Sequence, residues 1–139
     1  MTSPDRGDER YAYLDASAIV KLVTLESETS ALEADAATRA GLLTSRLGVA
    51  EVRRAVRRAG TRRLLQQAED VLEAFVVVEM TPAMFDRAGD LTPPALRTLD
   101  ALHLVSALSL DLPALDFITY DARLADAARR HGLSVTVPR

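Results

Sequence analysis

The sequence contains no cysteine, which excludes disulfide bonds, thiolate metal sites and a catalytic thiol. It also has no tryptophan, few aromatic residues and a single lysine, Lys21. No stretch reaches the roughly 18 consecutive apolar residues at which membrane insertion becomes plausible. The polar N-terminus lacks the apolar segment of a signal peptide. We therefore expect a soluble, cytoplasmic protein whose metal ligands, if it has any, are mainly oxygen atoms.

The length of 139 residues suits one compact domain, and the composition, 48% hydrophobic and 27% charged, is that of a globular protein. We expect a flexible tail over residues 1–10 and a single domain over residues 11–139. The formal net charge of −3 favours no particular partner. Arginines nevertheless cluster between residues 46 and 63, where either contact with phosphates or a solvated helix face could explain them.

Short apolar runs alternate with amphipathic segments, which indicates alternating strands and helices. Strands are predicted over residues 11–14, 42–44, 75–80, 116–119 and 133–137. Helices are predicted over residues 16–25, 26–40 (closed by Gly41), 61–74, 98–110 and 121–130. Two further helices are predicted, one that begins after Ser45 and a short one that begins at Pro82. The valine run at residues 76–78 is typical of a strand covered on both faces. This order predicts an α/β fold, a three-layer α/β/α sandwich with a central, mostly parallel sheet.

Four acidic residues stand alone among apolar neighbours, namely Asp15, Glu51, Asp100 and Asp121. Ionised carboxylates are almost never buried unless they are paired or bound to metal. Asp15 and Asp121 lie at the ends of predicted strands, and the other two lie early in helices, so all four can meet beyond the carboxyl ends of the strands. Because such a cluster of like charges needs a cation, we predict a Mg²⁺ or Mn²⁺ site. A water activated by that metal could attack a phosphodiester in line.

Some of these acids also have ordinary structural explanations. Asp15 and Asp121 could cap the helices that follow them. Glu51 could pair with Arg54 or Arg58 across one helical turn. These alternatives stay open at the level of the sequence.

Asp100 lies on an apolar helical stripe and has no comparable explanation. The rival acids Asp116 and Asp126 do not directly follow a predicted strand. His103 shares the helical face of Asp100 and could orient a carboxylate or touch substrate, although a satisfied histidine beside the pocket is the simplest interpretation. His131 fits a helix C-terminus. Three hydroxyl residues could either hydrogen-bond the carboxylates or cap local structure, namely Ser17, Ser45 and Thr119.

Four sequence fragments surround these acids, namely Tyr13 to Ala18 with an Asp-x-Ser turn, Ser45 with Val49 to Val52, Leu99 to His103, and Thr119 to Asp121. Together they resemble the PIN-domain nucleases, and most closely the VapC-like toxins of bacterial type II toxin–antitoxin modules. They occur in the order of the family's acidic elements, and the resemblance spans residues 11–137.

The resemblance implies a Mg²⁺- or Mn²⁺-dependent endoribonuclease that cleaves structured RNA such as a transfer or ribosomal RNA loop. It implies a VapB-like antitoxin as partner and a homodimer. The implied catalytic and metal-binding residues are Asp15, Glu51, Asp100 and Asp121, and the candidate RNA contacts are Arg53, Arg54, Arg57 and Arg58.

Other functions remain to be weighed against this one. A non-catalytic PIN-like module could use its acidic pocket to receive an antitoxin or another protein. A receiver domain fits poorly, because no acidic pair ends the first strand. A haloacid-dehalogenase-like phosphatase would need a second aspartate where Ser17 stands.

Overall fold

The structure is a computed structural model that describes residues 9–139. Most of the tail predicted over residues 1–10 therefore lies outside the described residues. Arg10, at the end of that segment, is held against the sheet, because its Nη2 donates to the carbonyl oxygen of Leu115 at 3.1 Å.

Five strands form one sheet, and every described strand pair is parallel. The strands are β1 (Tyr11–Leu14), β2 (Gly41–Ser45), β3 (Phe75–Val78), β4 (Leu115–Ile118) and β5 (Ser134–Thr136). They are arranged in the order β3-β2-β1-β4-β5. The strand order reverses at β1, which has β2 on one side and β4 on the other. Ligands of such sheets bind in the crevice beyond the carboxyl ends of the strands at this point.

Seven helices connect and cover the strands within the described residues. They are α1 (Ala16–Val23), α2 (Thr29–Ala37), α3 (Arg46–Ala59), α4 (Arg62–Leu72), α5 (Pro82–Gly89), α6 (Thr98–Leu108) and α7 (Ala122–Arg130). Five of them begin at a side chain that accepts a hydrogen bond from the first helical turn, namely Asp15, Ser45, Thr61, Thr81 and Asp121. None of the helices in residues 9–139 has the length and apolar character needed to cross a bilayer.

The two faces of the sheet are covered by different helices, as the alternation of side chains along β1 requires. Ala12 and Leu14 pack in a core with α1, α2, α3 and α4. Tyr13, between them, packs on the opposite face with α6 and α7, and α5 packs against α6. The predicted three-layer sandwich with a parallel central sheet is confirmed.

Two predictions about individual elements are wrong. The helix predicted over residues 26–40 is shorter, because Thr29 Oγ1 accepts from the Glu26 amide at 2.9 Å and donates to the Lys21 carbonyl at 2.7 Å, which forms a turn before α2. Gly41 begins β2 and does not close that helix. β3 lies at the edge of the sheet and Val76 is 63% exposed, so this strand is not covered on both faces.

Candidate active site

Asp15 lies at the carboxyl end of β1 and is only 4% exposed. Its Oδ1 accepts hydrogen bonds from Ser17 Oγ at 2.7 Å and from the Ala18 amide at 3.1 Å, and its Oδ2 accepts from Thr119 Oγ1 at 2.7 Å. All three donors are neutral. Burial raises the pKa of Asp15, and the hydrogen bonds from Thr119 and Ser17 offset that effect only in part. Asp15 is therefore a rigidly held carboxylate that makes no ion pair with a lysine or arginine of the described residues.

The register of the sheet explains why Thr119 reaches Asp15. Leu14 in β1 pairs with Ile118 in β4, so the next residue of each strand extends beyond the sheet at the same edge. Thr119 Oγ1 also accepts from the Asp121 amide at 3.1 Å. This hydroxyl therefore links the carboxyl ends of both strands.

The other two hydroxyl residues differ in their contacts. Ser17, besides donating to Asp15, accepts from the Tyr120 amide at 3.1 Å and so also joins the two strand ends. Ser45 is fully buried at the N-terminus of α3, where it accepts from the Gly48 amide at 3.2 Å. Its described contact is thus a local cap and does not involve the acidic residues.

Asp121 caps α7 and also faces open space. Its Oδ1 accepts from the amides of Arg123 at 2.9 Å and Leu124 at 3.0 Å. Within residues 9–139 its second oxygen accepts no hydrogen bond. The capping role weighed for this residue is therefore present, and it leaves one oxygen for a ligand.

Asp100 lies half-buried in the first turn of α6. In the described part of the chain its carboxylate has neither a hydrogen bond nor an ion pair. Burial, followed by the negative charges of Asp121 and Asp15, raises its pKa above the ordinary value, and Glu51 acts in the same direction. The four predicted acids thus lie close enough to act on one another, and we call them the acidic edge.

Glu51, half-buried on α3, does not form the ion pair with Arg54 or Arg58 that the helical spacing allowed. Its Oε1 lies 2.5 Å from Nε2 of His103 on α6. His103 is therefore a satisfied histidine beside the site, and its partner comes from a different helix.

The surface over the acidic edge is an open cleft with two adjacent hollows of about 610 and 330 Å³. Glu51 lines the larger hollow, Asp100 lines the smaller, and Asp121 lines both. Cationic side chains lie beside the acids in each hollow, namely Lys21, Arg54 and Arg58 in the larger and Arg97 and Arg123 in the smaller.

Sequence reasoning assigned no role in the site to Lys21, Arg97 or Arg123. Lys21 lies one helical turn after Ser17 on α1, and this spacing could have revealed that both face the cleft. No comparable local signal pointed to Arg97 or Arg123.

The arginine cluster divides between two helical faces. Arg54 and Arg58 lie three and seven residues after Glu51 on α3, so they share its face and line the cleft. Arg53 points elsewhere and pairs with Glu69 on α4, with an Nε–Oε1 distance of 2.8 Å. Arg57 is exposed and lines neither hollow. Two of the four arginines considered as RNA contacts therefore reach the cleft.

The chemistry of the acidic edge fits a hard divalent cation. The oxygen atoms available there belong to carboxylates and hydroxyls, which suit Mg²⁺ and Mn²⁺. The raised pKa of Asp100 indicates that negative charge collects there without neutralisation. Among residues 9–139 no three acidic or histidine side chains are close enough to form a ready-made metal site. Mg²⁺ commonly takes only one or two carboxylates and keeps several waters, so the donor set still fits.

The family model of the PIN domain matches residues 12–130, which is most of the chain. The chain belongs to the PIN-domain family. The chain is 39% identical to ribonuclease VapC46 of Mycobacterium tuberculosis over 133 residues, covering 91% of this chain and 96% of that protein. It is 32% identical to ribonuclease VapC47 of the same species over 130 residues, with the same coverage. The resemblance of this PIN domain to VapC-like toxins is confirmed.

Solved structures of VapC proteins share the fold of this PIN domain. Mycobacterium tuberculosis VapC20, described as a Sarcin-Ricin loop cleaving toxin, superposes with a TM-score of 0.69 at 17% identity and covers 84% of this chain and 94% of its own. VapBC2 of Rickettsia felis, bound to a DNA fragment from its promoter, gives a TM-score of 0.68 at 14% identity, with 93% and 99% covered. At such low identity these likenesses show the fold alone.

Proposed function

We propose that this PIN-domain protein is a Mg²⁺- or Mn²⁺-dependent endoribonuclease and acts as the toxin of a toxin–antitoxin pair. The observation that carries the proposal is the convergence of Asp15, Glu51, Asp100 and Asp121 at one edge of the sheet, where the Asp100 carboxylate has no partner among the described residues. The similarity to VapC ribonucleases over most of the chain supports the reaction class.

In this proposal Asp15 and Asp100 hold the ion, and Glu51 and Asp121 contribute charge and hydrogen-bond acceptors around it. When bound, the cation would supply the positive charge that these residues lack and activate a water for in-line attack on phosphorus. Ser17 and Thr119 fix the direction of the Asp15 carboxylate, since each donates to a different oxygen. Preorganised ligands of this kind avoid reorganisation during the reaction.

The cations of the cleft are suited to the RNA backbone. Arg54 and Arg58 are exposed on the face of α3 that lines the larger hollow, and Arg97 and Arg123 line the smaller. Phosphates on either side of the cleaved bond could therefore contact arginines while the bond itself lies over the acids. Such contacts make binding weaker as salt concentration rises.

We propose that a VapB-like antitoxin inhibits the enzyme by covering the same cleft. The presence of a VapBC assembly among the structural neighbours supports this partner. We also propose a homodimer, for which exposed apolar side chains such as Val76 and Phe85 offer contact surface. Sedimentation equilibrium at several concentrations would test the dimer independently of the reaction.

A non-catalytic binding module remains the second candidate. The observation that favours it is the lack of a ready-made three-ligand metal cluster among residues 9–139. Both candidates use the cleft to receive a partner, and only the first requires a metal-dependent break in RNA.

The deciding experiment incubates the purified protein with total RNA, first with Mg²⁺ or Mn²⁺, then with excess chelator, and then with metal restored. We expect cuts at defined positions that disappear with chelator and return with metal. Asp126→Asn is a matched control, because Asp126 is exposed on α7, pairs with Arg130 at 3.1 Å and lines neither hollow. Cuts that persist in chelator would contradict metal dependence, and RNA or antitoxin binding without any cut would favour the binding module.

A further inference from the structure

His103, on α6, links helix α3 to strand β1. It is 2% exposed on α6 and its two ring nitrogens contact side chains from two other elements. Nε2 lies 2.5 Å from Glu51 Oε1 on α3, and Nδ1 lies 2.8 Å from the hydroxyl of Tyr13 on β1. The three side chains therefore form a hydrogen-bonded row that runs from the sheet to the acidic edge.

The chemistry of the two side chains determines which one donates the hydrogen bond between His103 and Glu51. An ionised carboxylate can only accept hydrogen bonds, so when Glu51 is ionised the proton of this contact lies on Nε2 of His103, which donates to Glu51. The Tyr13 hydroxyl holds the other ring nitrogen, which prevents the ring from turning away. His103 thus orients one oxygen of Glu51 and leaves the second oxygen free of this contact.

Close packing keeps the row in place. A Cβ atom at Gly48 would lie 2.2 Å from Thr44 Oγ1 and 3.3 Å from His103 Cε1, so α3 can approach β2 and α6 this closely only because residue 48 is glycine. Glu51 follows Gly48 by about one helical turn. His103 itself lines neither hollow and cannot touch an RNA bound in the cleft.

We propose that His103 is a positioning residue for RNA cleavage, which acts by holding the Glu51 carboxylate in a fixed orientation at the acidic edge. The inference rests on the proposed function, since the orientation of Glu51 matters only if the acidic edge carries out the reaction. Hydrogen-bond partners of this kind, which orient an acidic ligand, typically contribute about 10- to 100-fold to activity or metal affinity.

The kinetic test compares His103→Leu, which removes both ring nitrogens, with His103→Gln, whose amide nitrogen can still donate to Glu51. We expect His103→Leu to lower kcat by about 10- to 100-fold. KM for RNA should not change, because Lys21, Arg54 and Arg58 are untouched. His103→Gln should regain most of the lost kcat.

A double-mutant cycle distinguishes positioning from a general effect on folding. Once Glu51→Gln has removed the charged acceptor, adding His103→Leu should lower kcat no further. If His103→Leu does not fold, His103→Asn serves in its place, because its shorter amide does not reach Glu51 whereas the amide of His103→Gln does. Unchanged kcat in His103→Leu or His103→Asn, or additive losses in the cycle, would overturn the proposal.

A spectroscopic measurement tests the contact without RNA or metal. In nitrogen-15 spectra of the metal-free protein, His103 should show a proton on Nε2 that is protected from exchange and shifts in Glu51→Gln. An Nε2 without a proton would overturn the inference even if the enzyme is active. Conversely, a wild type that cuts no RNA with metal present would contradict the proposed function, while this spectrum would still report on the contact.

Discussion

Two deeply buried aspartates lie in different regions of the sheet and have opposite surroundings. Asp116, in β4, is 5% exposed and is ion-paired with Arg39 and with Arg10, the latter at 2.9 Å. Asp15, just past β1, is 4% exposed and, among the residues that the structure describes, receives hydrogen bonds only from neutral groups. Within residues 9–139 the fold thus pairs one buried carboxylate with two arginines and gives the other no lysine or arginine partner.

The pKa values show the same contrast. Burial acts to raise the pKa of Asp116, but hydrogen bonds from Arg10 and Arg39 outweigh it and hold the pKa below its usual range. Burial and the neighbouring acids raise the pKa of Asp100. Breaking the pairs of a buried acid destabilises a fold, whereas a cluster of acids that makes no ion pair with lysine or arginine among the described residues is a candidate ligand site.

The largest expected effect is the loss of cleavage when charge is removed from the acidic edge. Asp15→Asn and Asp100→Asn should each lower the single-turnover cleavage rate by about 100-fold or more, the scale of losing one group that stabilises transition-state charge. The metal-free melting temperature of Asp100→Asn should not fall, because the charges of the acidic edge repel one another in the fold. If Asp15→Asn or Asp100→Asn cleaved RNA as fast as the wild type, the acidic edge would have no more catalytic importance than the ion-paired Asp116.

Removing the paired acid should instead affect stability. Asp116→Asn leaves Arg39 with Asp35, at 2.8 Å, as its single carboxylate partner within residues 9–139, and should cost about 2 to 3 kcal/mol in urea unfolding. Asp126→Asn breaks an exposed pair and should cost less than about 1 kcal/mol. Cleavage by folded Asp116→Asn should equal that of the wild type. Equal stability losses in the two variants would show that the Asp116 pairs contribute no more than a surface pair.

Gly48 and Gly89 differ in the space available for a side chain, so the same substitution should change stability in opposite directions. Gly48→Ala, next to the acidic edge, should destabilise the fold by about 1 to 3 kcal/mol because its Cβ meets Thr44. The added Cβ of Gly89→Ala, at the end of α5, meets no atom of the described residues within 4 Å, and this variant should be more stable by roughly 0.5 kcal/mol. Chemical denaturation of both variants measures these changes in stability. A Gly48→Ala variant as stable as the wild type would show that α3 does not need to approach β2 and α6 so closely.

The smallest expected effect is the pH dependence of stability. Because the folded-state pKa of Asp116 is lowered, its contribution is present above the unfolded value of about 3.9 and is lost as pH falls through the folded pKa. Asp100 has the opposite sign, so its charge destabilises the metal-free protein at neutral pH and acid relieves this. Asp116→Asn should be less stable than the wild type at pH 7 and Asp100→Asn more stable, and both differences should shrink on acidification. Urea unfolding midpoints measured across a range of pH test this. An Asp100→Asn variant less stable than the wild type at pH 7 would contradict it.

The sequence predicted the sandwich, and the positions of Asp15 and Asp121 past strand ends, because these depend on local patterns. Apolar runs marked the strands, and an acid just past a strand of a parallel sheet must lie at its carboxyl edge. The exposure of Val76 was missed, because an apolar run does not reveal whether its strand lies at the edge of a sheet.

Contacts between distant parts of the chain could not be read from spacing. Helical spacing allowed Glu51 to pair with an arginine of its own helix, whereas its described hydrogen-bond partner is His103, 52 residues away in the sequence. The same limit hid Arg97 and Arg123, which reach the cleft only because α6 and α7 begin beside each other at the acidic edge.

The most direct test of the account is calorimetric titration of the metal-free protein with Mn²⁺. The wild type and the Asp126→Asn control should bind the ion and melt at a higher temperature in its presence, since a ligand of the folded state stabilises it by mass action. Asp15→Asn and Asp100→Asn should lose most of both effects. Undiminished Mn²⁺ binding in Asp15→Asn and Asp100→Asn would contradict a metal site at the acidic edge.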